Sequence, residues 1–127
     1  MAYIESAEDL QVFKRAFDIS LDIHKLSLTL PKIEQYDLAS QIRRASKSIC
    51  ANLGEGFVKQ RFYPGELKRF TTIALGSAGE MKIWLKYCLK LGYIDANKYK
   101  QFDSEYNQII KMLAALGLKV KDKKSKF

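Results

Sequence analysis

Ser40-Gln-Ile-Arg-Arg-Ala-Ser-Lys-Ser-Ile-Cys-Ala-Asn-Leu-Gly-Glu-Gly56 is the stretch that decides how this chain folds. With Leu38 just before it, Ile42, Ala45, Ile49 and Leu53 recur at steps of four, three, four and four. That spacing places them on one face of a helix. Arg43, Arg44 and Lys47 flank the face, and Asn52 and Glu55 follow it. Gly54 and Gly56 stand where each costs a helix about 1 kcal/mol relative to alanine. Glycines kept at such a cost imply that something packs close against them.

Working outward, three more helices read from the same periodicity. Before the central stretch, Val12, Ala16, Ile19, Ile23, Leu26 and Leu30 form one stripe, and Leu10, Phe13, Phe17 and Leu21 a second. This predicts a first helix over about 7–29, with Ser6 as N-cap, Asp9 as its capping-box partner and Pro31 ending it. Asp37 is the expected cap of the second helix, 38–59. Residues 58–65 read as a loop, with Pro64 placed to open the third helix. That helix carries Leu67, Thr71, Ala74, Ala78, Met81, Leu85 and Cys88 on one stripe, and Phe70, Ile73, Ser77 and Trp84 on its flank. Gly92 is its C-cap signal. Asp95 caps a fourth helix with Tyr99, Phe102, Tyr106, Ile109, Leu113 and Leu116 in step, which Gly117 stops. Short connections make neighbours antiparallel, so the expected fold is all-α, an up-down-up-down four-helix bundle over 1–117. Residues 118–127 are expected to be a basic, disordered tail.

At 127 residues the chain is long enough for one self-sufficient core. It has no apolar run long enough for a membrane span, and its start lacks a signal-peptide pattern. Cys50 and Cys88 are too few for a disulfide framework and suit reduced thiols in a cytoplasmic protein. The net charge is +8, unevenly placed. Residues 38–90 hold ten basic and three acidic groups, and residues 118–127 five lysines and one aspartate. Basic helices suit a polyanionic partner, and equally suit a well-solvated surface.

Enzymatic constellations find little support. A bundle that holds metals uses glutamates with a histidine three residues on. Val58 follows Glu55 and Ile83 follows Glu80 at that distance, and His24 is the single histidine. No metal and no cofactor is therefore expected. Ser40, Ser46 and Ser48 lie within a helix, not on a strained elbow, and no glycine-rich loop follows a strand. With the turn centred near residue 62, Arg44 faces Glu80, Glu55 faces Lys68 or Arg69, Ser48 faces Gly76 and Ala45 faces Gly79. These charges read as structural salt bridges that set register. A general acid–base site would need a nucleophile or second base that the sequence does not offer.

The basic residues remain. Arg43 and Lys47 lie one turn apart. Lys82, Lys86 and Lys90 repeat every four residues, and Lys59, Arg61, Lys68 and Arg69 surround the central turn. Like charges one turn apart repel by a few tenths of a kcal/mol, so such a row suits phosphate binding. Phe57, Phe62 and Tyr63 suit stacking on unpaired bases, or an apolar contact between subunits. Helices one and three carry more apolar surface than one core absorbs, which places Phe70, Ile73 and Trp84 at contacts between copies.

The central stretch, together with Glu66-Leu-Lys-Arg-Phe70, Ile73-Ala-Leu-Gly-Ser-Ala-Gly-Glu80 and Leu91-Gly-Tyr-Ile94, resembles the four-helix-bundle family of 23S rRNA intervening-sequence proteins over about residues 10–117. Two positions depart from the family pattern: Cys50 in place of proline, and Gly54 in place of alanine. The chain is also similar in pattern to the accessory variability determinant of diversity-generating retroelements, a basic pentameric bundle that engages nucleic acid and a reverse transcriptase. The resemblance implies a non-enzymatic homo-oligomer, a pentamer first, that binds nucleic acid, structured RNA first. The alternative is an assembly scaffold whose ligand is another protein.

Overall fold

The computed structural model describes residue 7 and residues 10–120. Among them are four helices, α1 (Gln11–Thr29), α2 (Leu38–Lys59), α3 (Glu66–Lys90) and α4 (Ala96–Lys119), with a 3-10 turn at Lys32–Glu34 and no strand. Each helix packs on its chain neighbours, and α1 also meets α4, so the four close a ring around one core. The apolar stripe of α2 is its centre: Leu38, Ile42, Ala45, Ile49 and Leu53 are all buried. So are all seven residues of the α3 stripe. Each fully buried Ile, Leu or Met contributes roughly 1.5–3 kcal/mol.

Side-chain contacts carry the direction of the helices. Arg44 meets Glu80 and Ser48 meets Ser77, so contacts descend α3 as they climb α2. Lys82 reaches Asp103 and Asn107, while Gly117 lies against Thr71. Arg15 pairs with Glu105, its Nε donating at 2.9 Å and its Nη2 at 2.6 Å, which ties α1 to α4. That hydrogen bond holds the Arg15 guanidinium's pKa above its ordinary value.

The helix ends differ from expectation in four places. Leu10 keeps extended angles, so α1 starts at Gln11 rather than near residue 7; Ser6 and Asp9 lie outside the described residues. Asp37 stands at the N-cap of α2, but its side chain makes no capping bond. Pro64 does not open α3, because Gly65 takes a left-handed φ of 82° and forms the N-cap, leaving Glu66 to start the helix. Gly117 does not stop α4, which runs on to Lys119; one interior glycine costs only about 1 kcal/mol. Residues 118 and 119 of the expected tail are therefore helical, and residues 121–127 lie outside the described ones.

Two ends follow the reading. Gly92, at φ 81°, lets Tyr93 N–H reach Cys88 C=O at 2.8 Å and Gly92 N–H reach Leu89 C=O at 3.0 Å. That is the double bond of a Schellman motif. Asp95 caps α4 by accepting from Lys98 N–H at 2.7 Å.

Gly56 is the glycine that packing requires. A Cβ there would stand 2.9 Å from Phe70 Cβ and 3.4 Å from Leu67 Cα. Gly54 has nothing within 4 Å of an added Cβ, so it does not mediate the close approach expected of it, and the same space surrounds Gly76 and Gly79. Ser48 meets Ser77 rather than its neighbour Gly76, the two Oγ atoms lying 2.9 Å apart, and Ala45, Ala74 and Ala78 are buried.

Candidate nucleic-acid interface

The basic residues separate into those that hold the bundle together and those that face solvent with charge to spare. Arg43 belongs to the first group. Its Nη1 donates to Ser27 Oγ at 2.9 Å and Gln35 Oε1 at 3.2 Å, and its Nη2 to Gln35 C=O at 2.8 Å. It latches the α1–α2 connection through these bonds. Lys59 pairs with Glu55 at 2.8 Å, and its Nζ lies 4.9 Å from the Phe70 ring centre. Lys47 is exposed and donates to His24 Nδ1 at 3.0 Å. Arg61 is exposed but already engaged.

The predicted ion pairs divide likewise. Arg44 does pair with Glu80, whose Oε2 also accepts from Trp84 Nε1 at 2.8 Å. Glu55 does not pair with Lys68 or Arg69. It takes Lys59 one turn away, and Arg69 takes Glu66 at 2.7 Å. Residues three and four apart on a helix are already neighbours, so local pairs form without spanning the groove.

Part of the second group gathers on one side, apart from Lys14, Lys25 and Lys32, which are exposed on and beside α1. Lys68, Lys86 and Lys90 are exposed and make no ion pair among the described residues. Lys82, at the head of the row with Lys86 and Lys90, sits 3.7 Å from Asp103 and donates to Asn107 Oδ1. Those contacts show which face of α4 looks toward α3. Lys100, Asp103, Asn107 and Lys111 follow one another there at steps of three, four and four, hence on one face. Both added lysines are exposed. The α3–α4 side therefore carries Lys82, Lys86, Lys90, Lys100 and Lys111, and Asp103 is the one carboxylate on these two rows. Lys68 lies fourteen residues before Lys82, close to four turns, on the same side of α3. Lys100 and Lys111 escaped the sequence reading. Their spacing was visible, but not which helix their face would meet.

The expected subunit-contact residues also divide. Phe70 is only 5% exposed within the single chain, because Gly56 leaves room for it. It has almost no surface left to offer a second copy. Trp84 is half-buried against the core, while Ile73 is exposed. Two exposed apolar rows remain: Phe17, Leu21 and Leu28 on α1, and Ile73, Ile83 and Tyr87 on α3 with Leu91 at its C-cap.

Among the described residues, no three His, Cys, Asp or Glu gather as metal ligands. No helix of those residues is long and apolar enough to cross a membrane. Burial pushes the Cys50 thiol up to about 12 and the Cys88 thiol up to about 11, with Asp18 and Glu34 adding to the respective effects. Both are free thiols.

The family model described as 23S rRNA-intervening sequence protein matches residues 8–115. A solved structure from Bacteroides thetaiotaomicron VPI-5482, a protein of unknown function from the S23 ribosomal protein family, superposes with a TM-score of 0.74 at 24% identity. The alignment covers 84% of this chain and 94% of that one. At that identity the likeness speaks to the fold. No curated protein matches.

Proposed function

The chain belongs to the 23S rRNA-intervening sequence protein family, and from that premise we propose that it is a non-enzymatic, homo-oligomeric bundle that binds nucleic acid, structured RNA first, through its α3–α4 side. One observation carries this reading: a row on α3 and a row on the adjoining α4 hold five lysines and a single carboxylate, and Lys86 and Lys90 are exposed and make no ion pair among the described residues. A field of one sign at close spacing repels itself and gains from a polyanion. It needs no base-specific geometry, because phosphate contacts position a nucleic acid without reading it. An oligomer is supported by the exposed apolar rows on α1 and α3, which a contact between copies would cover, and five copies are favoured by the resemblance alone.

The same rows favour a second reading, an assembly scaffold whose ligand is another protein, such as a reverse transcriptase. Titration of the full-length chain with a labelled hairpin RNA at low salt separates the two. Binding that is insensitive to sequence and weakened by Lys82→Gln, Lys86→Gln and Lys90→Gln together supports the first. Absence of binding to every RNA and DNA tested leaves the scaffold.

A further inference from the structure

The end of the bundle that joins α2 to α3 carries two aromatic side chains that the core does not use. Phe62 is 72% exposed and Tyr63 62% exposed, whereas Phe57, five residues earlier, is 6% exposed and packed inside. Their backbone is nevertheless tied down. Phe62 N–H and Tyr63 N–H both donate to Lys59 C=O, at 3.0 and 2.9 Å, and Arg61 N–H donates to Val58 C=O at 3.3 Å. Pro64 and the left-handed Gly65 then turn the chain into α3. Two rings are thus held outward by an ordered turn rather than left on a loose loop.

The surroundings of the turn are basic. Lys59 and Arg61 precede the rings, and Lys68 follows, exposed and without an ion pair among the described residues, on the side of α3 that leads to Lys82. The last turns of α4 lie toward the same end of the bundle. Gly117 abuts Thr71, where an added Cβ would stand 3.9 Å from the Thr71 Cγ2, and Thr71 is six residues, roughly 9 Å, along α3 from Gly65. Lys119 closes α4 there. Exposed rings on a turn flanked in sequence by basic residues fit an aromatic anion. Base faces stack on the rings while phosphates meet the lysines.

We infer that the Phe62–Tyr63 turn is a stacking platform for unpaired nucleotides, placed at one end of the lysine track along α3. The inference rests on the nucleic-acid reading of the α3–α4 side and adds a preference to it: strands with unpaired bases bind more tightly than a blunt duplex with the same number of phosphates. A base inside a duplex has no free face for the rings, so the platform contributes nothing to duplex binding.

The test uses the full chain with an oligouridine and a blunt RNA duplex of equal phosphate number. The wild type binds oligouridine more tightly. Phe62→Ala with Tyr63→Ala lowers oligouridine affinity by at least about fivefold for each base that no longer stacks, and leaves duplex affinity unchanged. Phe62→Leu with Tyr63→Leu, which keeps apolar bulk without a π-face, loses the preference as the alanine pair does, and Phe62→Trp with Tyr63→Trp retains it. Both positions are exposed, so helical content by circular dichroism stays at the wild-type value. Wild-type binding to both probes that the alanine pair does not alter overturns the stacking platform and leaves the lysine track standing. A leucine pair that behaves as wild type, or an alanine pair that changes the mass in solution, overturns it in favour of a protein contact. A wild type that binds neither probe overturns both readings.

Discussion

Gly56 and Gly54 stand two residues apart in the same helix and have opposite reasons to be there. At Gly56 a methyl group meets Phe70 Cβ at 2.9 Å, an atom fixed to the α3 backbone. Relief requires the two helices to part. Gly56→Ala is expected to lose about 1–2 kcal/mol net, the overpacking cost outweighing the helical gain. Gly54→Ala meets nothing within 4 Å and is expected to gain up to about 1 kcal/mol. Thermal denaturation of the two variants checks both signs. Both glycines read as anomalies in the sequence, because helix propensity is local. Which one faces a neighbour depends on the placement of Phe70, fourteen residues downstream, which propensity does not encode. The cysteines offer a pH prediction at the same scale. Their thiols keep their protons to about 12 and about 11 when folded, against an ordinary 9.0. The unfolded chain thus ionises first. Stability is full below the unfolded value and falls as pH rises above it. Between about pH 8.5 and pH 10, below the ordinary tyrosine range, urea midpoints should fall, and Cys50→Ser with Cys88→Ser should flatten that slope.

At the level of helices, the pairing of α2 with α3 was legible because opposite charges and small residues align across one short turn. Arg44 and Glu80 followed from that register and do pair. Their strength did not follow. The two side chains keep 56% and 32% of their exposure, so a double-mutant cycle with Arg44→Ala and Glu80→Ala should return a coupling under about 1 kcal/mol, as exposed pairs do. A coupling of about 3 kcal/mol or more, the range of a buried pair, would contradict this. The Glu55 and Arg69 pairing failed because each residue has a partner within one helical turn. The Arg15–Glu105 pair joins α1 to α4 across ninety residues, and no short connection sets that register, so spacing alone did not reveal it. Arg43 shows the same limit. A cation beside a core stripe reads as surface charge until Ser27 and Gln35 are found beneath it.

For the whole molecule, the apolar stripes were enough for an all-helical bundle, because four uninterrupted periodic runs with short connections leave few alternatives. The charged surface was half legible: the Lys82, Lys86 and Lys90 row is written in one helix, while Lys100 and Lys111 join it only once α4 is docked. Assembly is a property of this scale too. Light scattering at micromolar concentration is expected to give a multiple of 14.6 kDa, five copies favoured, and a monomer at every concentration would remove the oligomer. The central claim, that the lysine rows of α3 and α4 bind nucleic acid through its phosphates, is tested most directly by the salt dependence of RNA affinity. Each phosphate neutralised lowers log affinity by about 0.7–0.9 per tenfold rise in salt. The comparison is between the full chain and its Lys82→Gln, Lys86→Gln, Lys90→Gln variant, each also ended at Gly117 to remove the lysine tail. The account predicts a steep slope that survives loss of the tail and becomes shallower in the triple variant. A slope that vanishes with the tail, or one that the triple variant leaves unchanged, would contradict it.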